Sequence, residues 1–287
     1  MFGNAFRMEW TKVFRRRMTW VLVGILVLLV AGLYLAIYAV AQEALSDPQA
    51  SPGTIENLQG MLCWPQALTS LLGLMGGAGL GGLMLVVLAG AMTAQEYSWR
   101  TTHLWLSRGL PRSAFLIAKY ATLAVAALVV VVAAVLVASP LTAWFTQQMT
   151  GSVNLADLDL VELGLSIVRT AYTILPYVGL TFLVAILTRS AAAAIAAGLA
   201  YALVLENIVV QLLGLAGGIW ADVAQYAPGS LAAALMQTNL RLVEVDLGSG
   251  VNAGLPGPWV AAGGITLYVV AFLGLSLWAF RRQNLTG

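Results

Sequence analysis

The sequence predicts an all-α integral membrane protein with six transmembrane helices. Of its 287 residues, 60% are apolar and only 9% are charged, and the mean hydropathy is +0.88. A soluble domain would carry about 25% charged residues, and about 20 consecutive apolar residues cross the bilayer core as a helix. The apolar runs are continuous rather than alternating, which favours helices over membrane strands.

Apolar runs that contain at most one charged residue each mark the six predicted spans. They cover residues 20–40, 67–94, 113–144, 167–187, 191–215 and 259–280. The basic triplet Arg15–Arg17 precedes the first run, as it would also precede a cleaved signal peptide. Because the apolar core of a signal peptide has only about 7–15 residues, we expect this longer run to be a retained span.

The charged residues predict which side of the membrane each connection faces. With both termini in the cytoplasm, every Lys and Arg except Arg169 and Arg241 lies on the cytoplasmic side. Every acidic residue outside the spans except Glu9 and Glu96 then lies on the opposite side. Lys and Arg resist translocation. We therefore expect a multi-pass protein of the cytoplasmic (inner) membrane with both termini cytoplasmic.

Short helices are predicted outside the spans. Aromatic residues recur at four-residue spacing near the start of the chain, at Phe2, Phe6, Trp10 and Phe14. This spacing predicts an amphipathic helix over residues 1–19 that lies in the cytoplasmic interface. In the extracytoplasmic connection, residues 216–258, a turn at Ala227–Ser230 precedes an apolar segment, which predicts short helices in the outer leaflet. The chain, residues 1–287, is then a single transmembrane domain.

Several kinds of catalytic site are absent from the sequence. A Walker A loop needs a Lys directly after a Gly, but Lys12 and Lys119 follow Thr11 and Ala118. The single Cys excludes a disulfide within the chain, and the single His argues against a histidine-built metal centre. We therefore expect that the chain is not an enzyme by itself and holds no metal.

The connection between the second and third spans, residues 94–120, has the most informative pattern. It predicts a short helix over residues 95–108, in which Gly109 suits the C′ position and Pro111 suits the start of the next helix. The connection is either an ordinary interfacial linker whose positive charge fixes the topology or an element that docks on another protein.

This connection resembles the first cytoplasmic loop of ABC-2 type permeases, the membrane subunits of a class of ABC transporters. The resemblance rests on Glu96, Thr101 or Thr102, Leu106, Pro111, Arg112 and Lys119. The segment Arg7–Arg17, in which an acidic residue precedes basic ones, and the layout of the spans resemble the family as well. Trp99 and Arg100 depart from it, since they stand where the family often has Gly before the Thr.

The resemblance implies an exporter whose ATPase is a separate polypeptide. The connection would be a coupling helix that docks on this ATPase, and its candidate docking residues are Glu96, Tyr97, Trp99, Arg100, Thr101 and His103. Two permeases, either a homodimer of this chain or a pair with a sibling chain, would assemble with two ATPases in the lipid membrane. ATP and Mg would bind to the ATPases, whereas this chain would bind no cofactor and no nucleic acid.

Small residues recur at four-residue spacing in the second span, at Gly73, Gly77 and Gly81. Such a series allows helix backbones to approach each other closely. The close contact would lie within the subunit or between subunits. Alternatively, the small side chains leave room for a substrate, as the resemblance implies for the second and fifth spans.

Glu206 is the only ionisable residue predicted deep within a span, in the outer half of the fifth. A charge at the bilayer centre costs about 2.5–3.5 kcal/mol on insertion scales, so it needs a partner or a wet cavity. Glu206 pairs with Arg169 near the outer end of the fourth span, or is protonated and hydrogen-bonded to Asn207 or a tyrosine. Alternatively, it is a polar element of the translocation path.

Together these features favour export of a hydrophobic or amphipathic substrate by alternating access. Two other functions stay open. A self-contained secondary transporter or channel usually places several ionisable or broken-helix elements near the midplane. The sequence offers only Glu206 and no evident broken pair in the two halves, which argues against it. The other is a non-transporting accessory membrane subunit.

Overall fold

The structure is a computed structural model that describes residues 2–46, 51–98, 111–152, 159–239 and 255–283. Across these residues the chain is helical and contains no strand, as predicted. The helices are α1 (Phe2–Arg15), α2 (Arg17–Ser46), α3 (Pro52–Leu62), α4 (Gln66–Met75), α5 (Leu80–Ser98), α6 (Arg112–Thr150), α7 (Leu160–Thr188), α8 (Ala191–Ala200), α9 (Glu206–Ala216), α10 (Ile219–Ala224), α11 (Pro228–Met236) and α12 (Pro258–Arg282). A π-helical turn, Tyr201–Leu205, joins α8 to α9.

Within the described residues, six segments are long and apolar enough to cross a membrane, which agrees with the predicted number of spans. Spans 1 to 6 are Arg17–Ser46, Gln66–Gln95, Arg112–Met149, Leu160–Thr188, Ala191–Ala216 and Pro258–Arg282. Span 3 has 38 residues, or about 57 Å at about 1.5 Å per residue. Because the hydrocarbon core is about 30 Å thick, this span tilts or projects beyond it.

Spans 2, 3 and 4 form the centre of the bundle. Half or more of the residues in their most apolar stretches are buried, against about a fifth in spans 1, 5 and 6. Leu72, Leu123, Val131, Ile174 and Phe182 pack in one apolar core. On spans 1, 5 and 6, by contrast, many large apolar side chains are exposed on the surface of the bundle. This arrangement suits a bundle whose solvent is lipid.

The charged residues divide between the two ends of the bundle. The basic end carries Arg15, Arg16, Arg17, Arg112, Arg189, Arg281 and Arg282, and the acidic end carries Glu43, Asp159, Glu162 and Asp222. Two hydrogen bonds join helix termini across the basic end: Arg16 donates to Gln95 at 2.5 Å, and Tyr97 donates to Gln283 at 3.3 Å. The start of span 1 and the end of span 6 therefore lie at the same end of the bundle.

Helix α1, Phe2–Arg15, lies within the segment 1–19 that was predicted to be helical, and Phe14 is the aromatic residue that packs against the core. Ala5, Glu9 and Val13 are buried, and α1 packs against span 3. The rings of Trp10 and Phe14 lie 4.1 Å apart and stay partly exposed. The contact with span 3 therefore combines the apolar Ala5 and Val13 with the charged Glu9.

The span predicted over residues 67–94 is present as Gln66–Gln95, but it is not one continuous helix. Helix α4 ends at Met75, the chain turns through residues 76–79, and α5 begins at Leu80. Gly77 has a φ of 54°, in the left-handed region that favours glycine. Span 2 therefore consists of two helical segments, and the four-residue glycine series does not run along one helix face.

Three further glycines make this break possible. A Cβ atom on Gly79, Gly81 or Gly82 would collide with carbonyl oxygens of residues 74–77. The two chain segments can approach so closely only because these residues have no side chain. Gly81, a predicted packing or pathway residue, therefore serves the local turn rather than a contact with another helix.

The connections at the acidic end contain short helices. Helix α3, between spans 1 and 2, has no counterpart in the prediction, although Ile55, Leu58 and Leu62 follow a helical spacing that could have indicated it. Helices α10 and α11 lie between spans 5 and 6, where short helices were expected. Ala227 is the N-cap of α11, whose first residue is Pro228, a favoured position for proline.

We predict that Cys63, the chain's single cysteine, reports the orientation of the bundle. Cys63 is partly buried and lies between α3 and span 2, at the acidic end. Burial raises the pKa of the Cys63 thiol, and its hydrogen bond with Thr146 opposes this shift only in part. Since the thiolate is the reactive form, a membrane-impermeant maleimide should label Cys63 slowly in intact cells at neutral pH and faster at higher pH.

The control for this labelling is the double variant Cys63→Ser, Thr188→Cys, whose cysteine lies exposed at the basic end. We expect this cysteine to react only after the membrane is permeabilised. The opposite pattern, with Thr188→Cys labelled in intact cells and Cys63 protected, would reverse the proposed orientation of the chain.

Candidate functional site

A cavity of about 570 Å³ lies between the break in span 2, span 5 and α11. Its described wall includes Gly73 and Gly77 beside the break, Tyr177 of span 4, Glu206 and Asn207 of span 5, and Gly229 of α11. Three of the residues predicted from the sequence, from two different spans, thus border one space. Gly73 has no atom within 4 Å of the position that a Cβ would occupy, so this glycine leaves open volume rather than a tight helix contact.

Glu206 is buried in the wall of this cavity, and its two carboxylate oxygens have different donors. The Tyr177 hydroxyl donates to Oε2 at 2.7 Å, and the backbone N–H of Gly229 donates to Oε1. Gly229 is the second residue of α11, so the carboxylate lies at the positive end of that helix dipole. A Cβ on Gly229 would lie 3.1 Å from the Glu206 carboxylate, which explains the glycine.

The predicted pairing of Glu206 with Arg169 is wrong. Arg169 donates to Glu162 at 2.5 Å on its own helix. The amide of Asn207 donates to the Leu203 carbonyl at 3.1 Å. A tyrosine, Tyr177, is the side-chain partner present, and it donates to Glu206, so this hydrogen bond requires no proton on the Glu206 carboxylate. The sequence could not single out this tyrosine, because a four-residue spacing relates neighbours within one helix and not residues of two different spans.

Arg169 lies instead in a second groove of about 300 Å³ at the acidic end. Tyr172 and Trp259 line the same groove between spans 4 and 6. The indole of Trp259 is exposed, as expected for a residue at the membrane interface. This groove is separate from the cavity that contains Glu206.

The π-helical turn at Tyr201–Leu205 directly precedes Glu206. The backbone N–H of Glu206 donates to the Tyr201 carbonyl, one residue further back than in an α-helix. Ala202 and Glu206 are buried, whereas residues 203–205 are exposed. Such turns add one residue to a helix and occur often at functional sites. Here the turn sets the rotation of the outer half of span 5 relative to the cavity.

Two neutral polar side chains follow on the surface of span 5. Asn207 and Gln211 are exposed and lie one helical turn apart, on the same face. Polar groups directed at lipid chains are costly. This face of span 5 therefore suits a water-filled space or another protein better than lipid.

The close helix contacts occur at glycines that the sequence did not single out. A Cβ on Gly90 of span 2 would lie 2.7 Å from Ile195 of span 5, and one on Gly198 of span 5 would collide with Thr181 of span 4. Because Gly90 and Gly198 have no side chain, spans 2, 4 and 5 can pack closely against one another. Unlike Gly73, Gly77 and Gly81, they do not follow an obvious spacing.

A second cluster, at the basic end, connects α1 to span 3. Lys119 Nζ lies 3.4 Å from Glu9 Oε2, and Lys12 Nζ lies 2.6 Å from Glu9 Oε1. Glu9 and Lys119 are buried, with 1% and 4% of their surfaces exposed. Lys119 also lies 5.4 Å from the centre of the Phe115 ring. From the sequence, Lys119 was expected only to be a charge on the cytoplasmic side. Its position within the apolar run 113–144 was a signal that it is buried.

Of the six predicted docking residues, two lie in the described part of the chain. Glu96 and Tyr97 lie in the last turn of α5, which runs to Ser98, whereas Trp99, Arg100, Thr101 and His103 lie outside the described residues. Besides its bond with Gln283, Tyr97 has the Arg189 guanidinium 5.9 Å from its ring centre. Tyr97 therefore contacts the turn between spans 4 and 5 as well as the end of span 6.

The start of span 3 contacts span 6 as well. Arg112 donates to the Arg281 carbonyl at 3.1 Å. Both flanks of the segment 99–110 are thus held beside the end of span 6. Among the described residues, no group of three or more His, Cys, Asp and Glu side chains could hold a metal ion.

In the described part of the chain, six apolar spans and a mostly apolar cavity that contains one buried carboxylate indicate a multi-pass helical membrane protein. A family model described as "Protein of unknown function (DUF2705)" matches residues 80–286, and the chain belongs to that family. The matched region begins at the start of α5 and includes spans 3 to 6. No curated protein matches the chain.

Proposed function

We propose that this chain is the membrane permease subunit of an ATP-driven ABC exporter that uses a separate ATPase. The observation that supports the proposal is that Tyr97 and Arg112, the described residues on either side of the segment 99–110, both contact the end of span 6. Tyr97 binds Gln283, and Arg112 binds the Arg281 carbonyl, so both flanks meet at span 6. A force applied to the segment would reach spans 2, 3 and 6 together, as a coupling element requires.

In this proposal the basic end faces the cytoplasm, because Lys and Arg near short connections resist translocation. Helix α1 would lie in the cytoplasmic interface, with its partly exposed aromatic rings toward the lipid headgroups. Helices α10 and α11 would lie in the outer leaflet. The chain would reside in the inner membrane, with both termini cytoplasmic.

The assembly would contain two permeases, either two copies of this chain or one copy and a sibling, and two ATPases that bind ATP and Mg. We assign the contact between permeases to the face of span 5 that carries Asn207 and Gln211. Polar side chains on this face would line the path between the subunits, rather than meet lipid.

Transport would proceed by alternating access. ATP binding would bring the ATPases together, and the segment 99–110 would convey this movement to the spans. The buried Glu9–Lys119 pair would move α1 with span 3. Span 2 would bend at its glycine break, and span 5 at its π-helical turn, since such interruptions are where helices kink. The cavity that contains Glu206 would then open to one side at a time, to a hydrophobic or amphipathic substrate.

We predict that the chain, purified from its native membrane under mild conditions, carries a stoichiometric ATPase subunit and hydrolyses ATP. Substitution of Glu96 and Arg100 by Ala should lower ATP turnover in lipid nanodiscs to that of the isolated ATPase, because these side chains would transmit the movement. Purification without an ATPase and without ATP turnover would contradict the proposal.

The matched control is the double variant Arg15→Ala, Asp222→Ala. It removes the same two charges from exposed positions outside the segment, so ATP turnover should stay unchanged. If the Glu96, Arg100 variant keeps an intact complex but loses turnover, the segment couples the subunits. If turnover persists, this chain is an accessory subunit rather than the coupled permease.

One observation favours a second candidate, a self-contained secondary transporter. Span 2 is broken at residues 76–79 and span 5 is interrupted at Tyr201–Leu205, which are corresponding positions in the two three-span halves. Interrupted helices in such positions often mark the binding site of secondary transporters. The sequence alone did not reveal this pair. Substrate flux driven by a proton or sodium gradient in proteoliposomes, without nucleotide, would support this candidate over the exporter.

A further inference from the structure

The charge of the Glu206 cavity is the feature that points to a ligand class. Among the described residues of the cavity wall, Glu206 is the only charged side chain. Its polar neighbours are neutral, namely Asn207, Ser230 and Tyr177. No described lining residue is basic, so an anionic ligand would meet only repulsion from a carboxylate in surroundings of low dielectric constant.

The rest of the wall is apolar and small. Val210, Ala232, Met236 and Leu255 contribute hydrocarbon and thioether surface, and the glycines of the span 2 break contribute bare backbone. The volume of about 570 Å³ lies within the range of about 300–1,000 Å³ that is typical of sites for small organic ligands. Met236 can adapt to ligands of different shape, because methionine is flexible and polarizable.

Among the described residues, the Glu206 carboxylate has two hydrogen-bond donors. A carboxylate can accept about four hydrogen bonds, and Tyr177 and Gly229 supply two. Tyr177 also lines the cavity, but only 1% of its surface is exposed, so its part is to orient the Glu206 carboxylate through its hydroxyl. The attraction for a cation therefore comes from the negative charge of Glu206.

We infer that this cavity binds a monovalent organic cation with an apolar body. The inference rests on the proposed function, since it names the substrate class of that transporter. The apolar body would contact the Met236 and Val210 side of the cavity, and the positive charge would lie beside Glu206. Charge pairing with the ligand would offset the cost of an ionised side chain within a span.

Two ions of nearly equal size and shape but opposite charge provide the test. Tetraphenylphosphonium and tetraphenylborate would be titrated against the purified chain in nanodiscs, with empty nanodiscs subtracted. We expect saturable binding of tetraphenylphosphonium and no saturable binding of tetraphenylborate. Glu206→Gln should weaken binding of the cation by at least about tenfold, whereas Glu43→Gln, an exposed carboxylate at the end of span 1, should leave it unchanged.

Equal binding of the two ions by the wild-type chain would overturn the inference, and so would undiminished cation binding by a folded Glu206→Gln variant. If Glu206→Gln does not fold, the comparison of the two ions on the wild-type chain decides. The assay contains no ATPase, so the two proposals can fail separately. Cation binding by a chain that has no ATPase partner would contradict the exporter alone, whereas ATP turnover without cation preference would contradict the ligand class alone.

Discussion

Replacement of Lys119 by Met is expected to destabilise the folded chain by about 3 kcal/mol. The substitution leaves Glu9 buried without its partner on span 3. Removal of one member of a buried ion pair typically costs about 3–5 kcal/mol. We expect the lower end of that range, because Lys12 stays 2.6 Å from Glu9. For a chain of this size, the apparent Tm in detergent should fall by about 6–12 °C.

Two further variants separate the ion pair from general damage to the core. Lys12→Met removes a partly exposed charge and should cost less than about 1 kcal/mol. In the double variant Glu9→Gln, Lys119→Met, neither charge remains, so most of the stability should return. Equal losses for Lys12→Met and Lys119→Met would show that the buried pair is not what holds α1 against span 3.

Replacement of Gly82 by Ala is expected to have an effect at least as large. The added Cβ would collide with the carbonyl oxygen of Gly77. Overpacking costs about 1–3 kcal/mol and sometimes more. The upper end applies here, because the obstacle is backbone rather than a flexible side chain. Gly77 lines the cavity, so any shift that relieves the collision would also deform the cavity. Thermal unfolding and the yield of monodisperse protein measure the effect.

Gly73→Ala is the matched control in the same span. No atom lies within 4 Å of the position that its Cβ would occupy, and alanine is favoured over glycine in a helix by about 0.5–1 kcal/mol. We expect unchanged or slightly higher stability. Similar losses for Gly73→Ala and Gly82→Ala would argue that span 2 is a continuous helix, contrary to the structure.

The spans could be predicted from the sequence because each depends on local composition. A run of uncharged apolar residues forms a helix in lipid whatever lies beside it, and the charges at its ends predict its direction. The break in span 2 was missed for a physical reason. Glycine at four-residue spacing suits both a close helix contact and a turn, so Gly73, Gly77 and Gly81 fit either interpretation.

The partners within the candidate site could not be predicted, because they depend on how the spans pack. Glu206 was recognised as a buried acid, but its donors, Tyr177 and Gly229, come from span 4 and α11. Likewise, Lys119 and Glu9 were visible as single charges, and only the docking of α1 on span 3 brings them together. A spacing rule describes one helix and carries no information about its neighbours.

The Glu9–Lys119 pair also constrains how the chain is made. A ribosome releases Lys119 about a hundred residues after Glu9, which is a delay of roughly 5–20 s at about 5–20 residues per second. During that interval Lys119 has not been synthesised. Glu9 then has only Lys12 beside it, and α1 cannot pack against span 3. Helix α1 can therefore adopt its observed contact with span 3 only after that span has been synthesised.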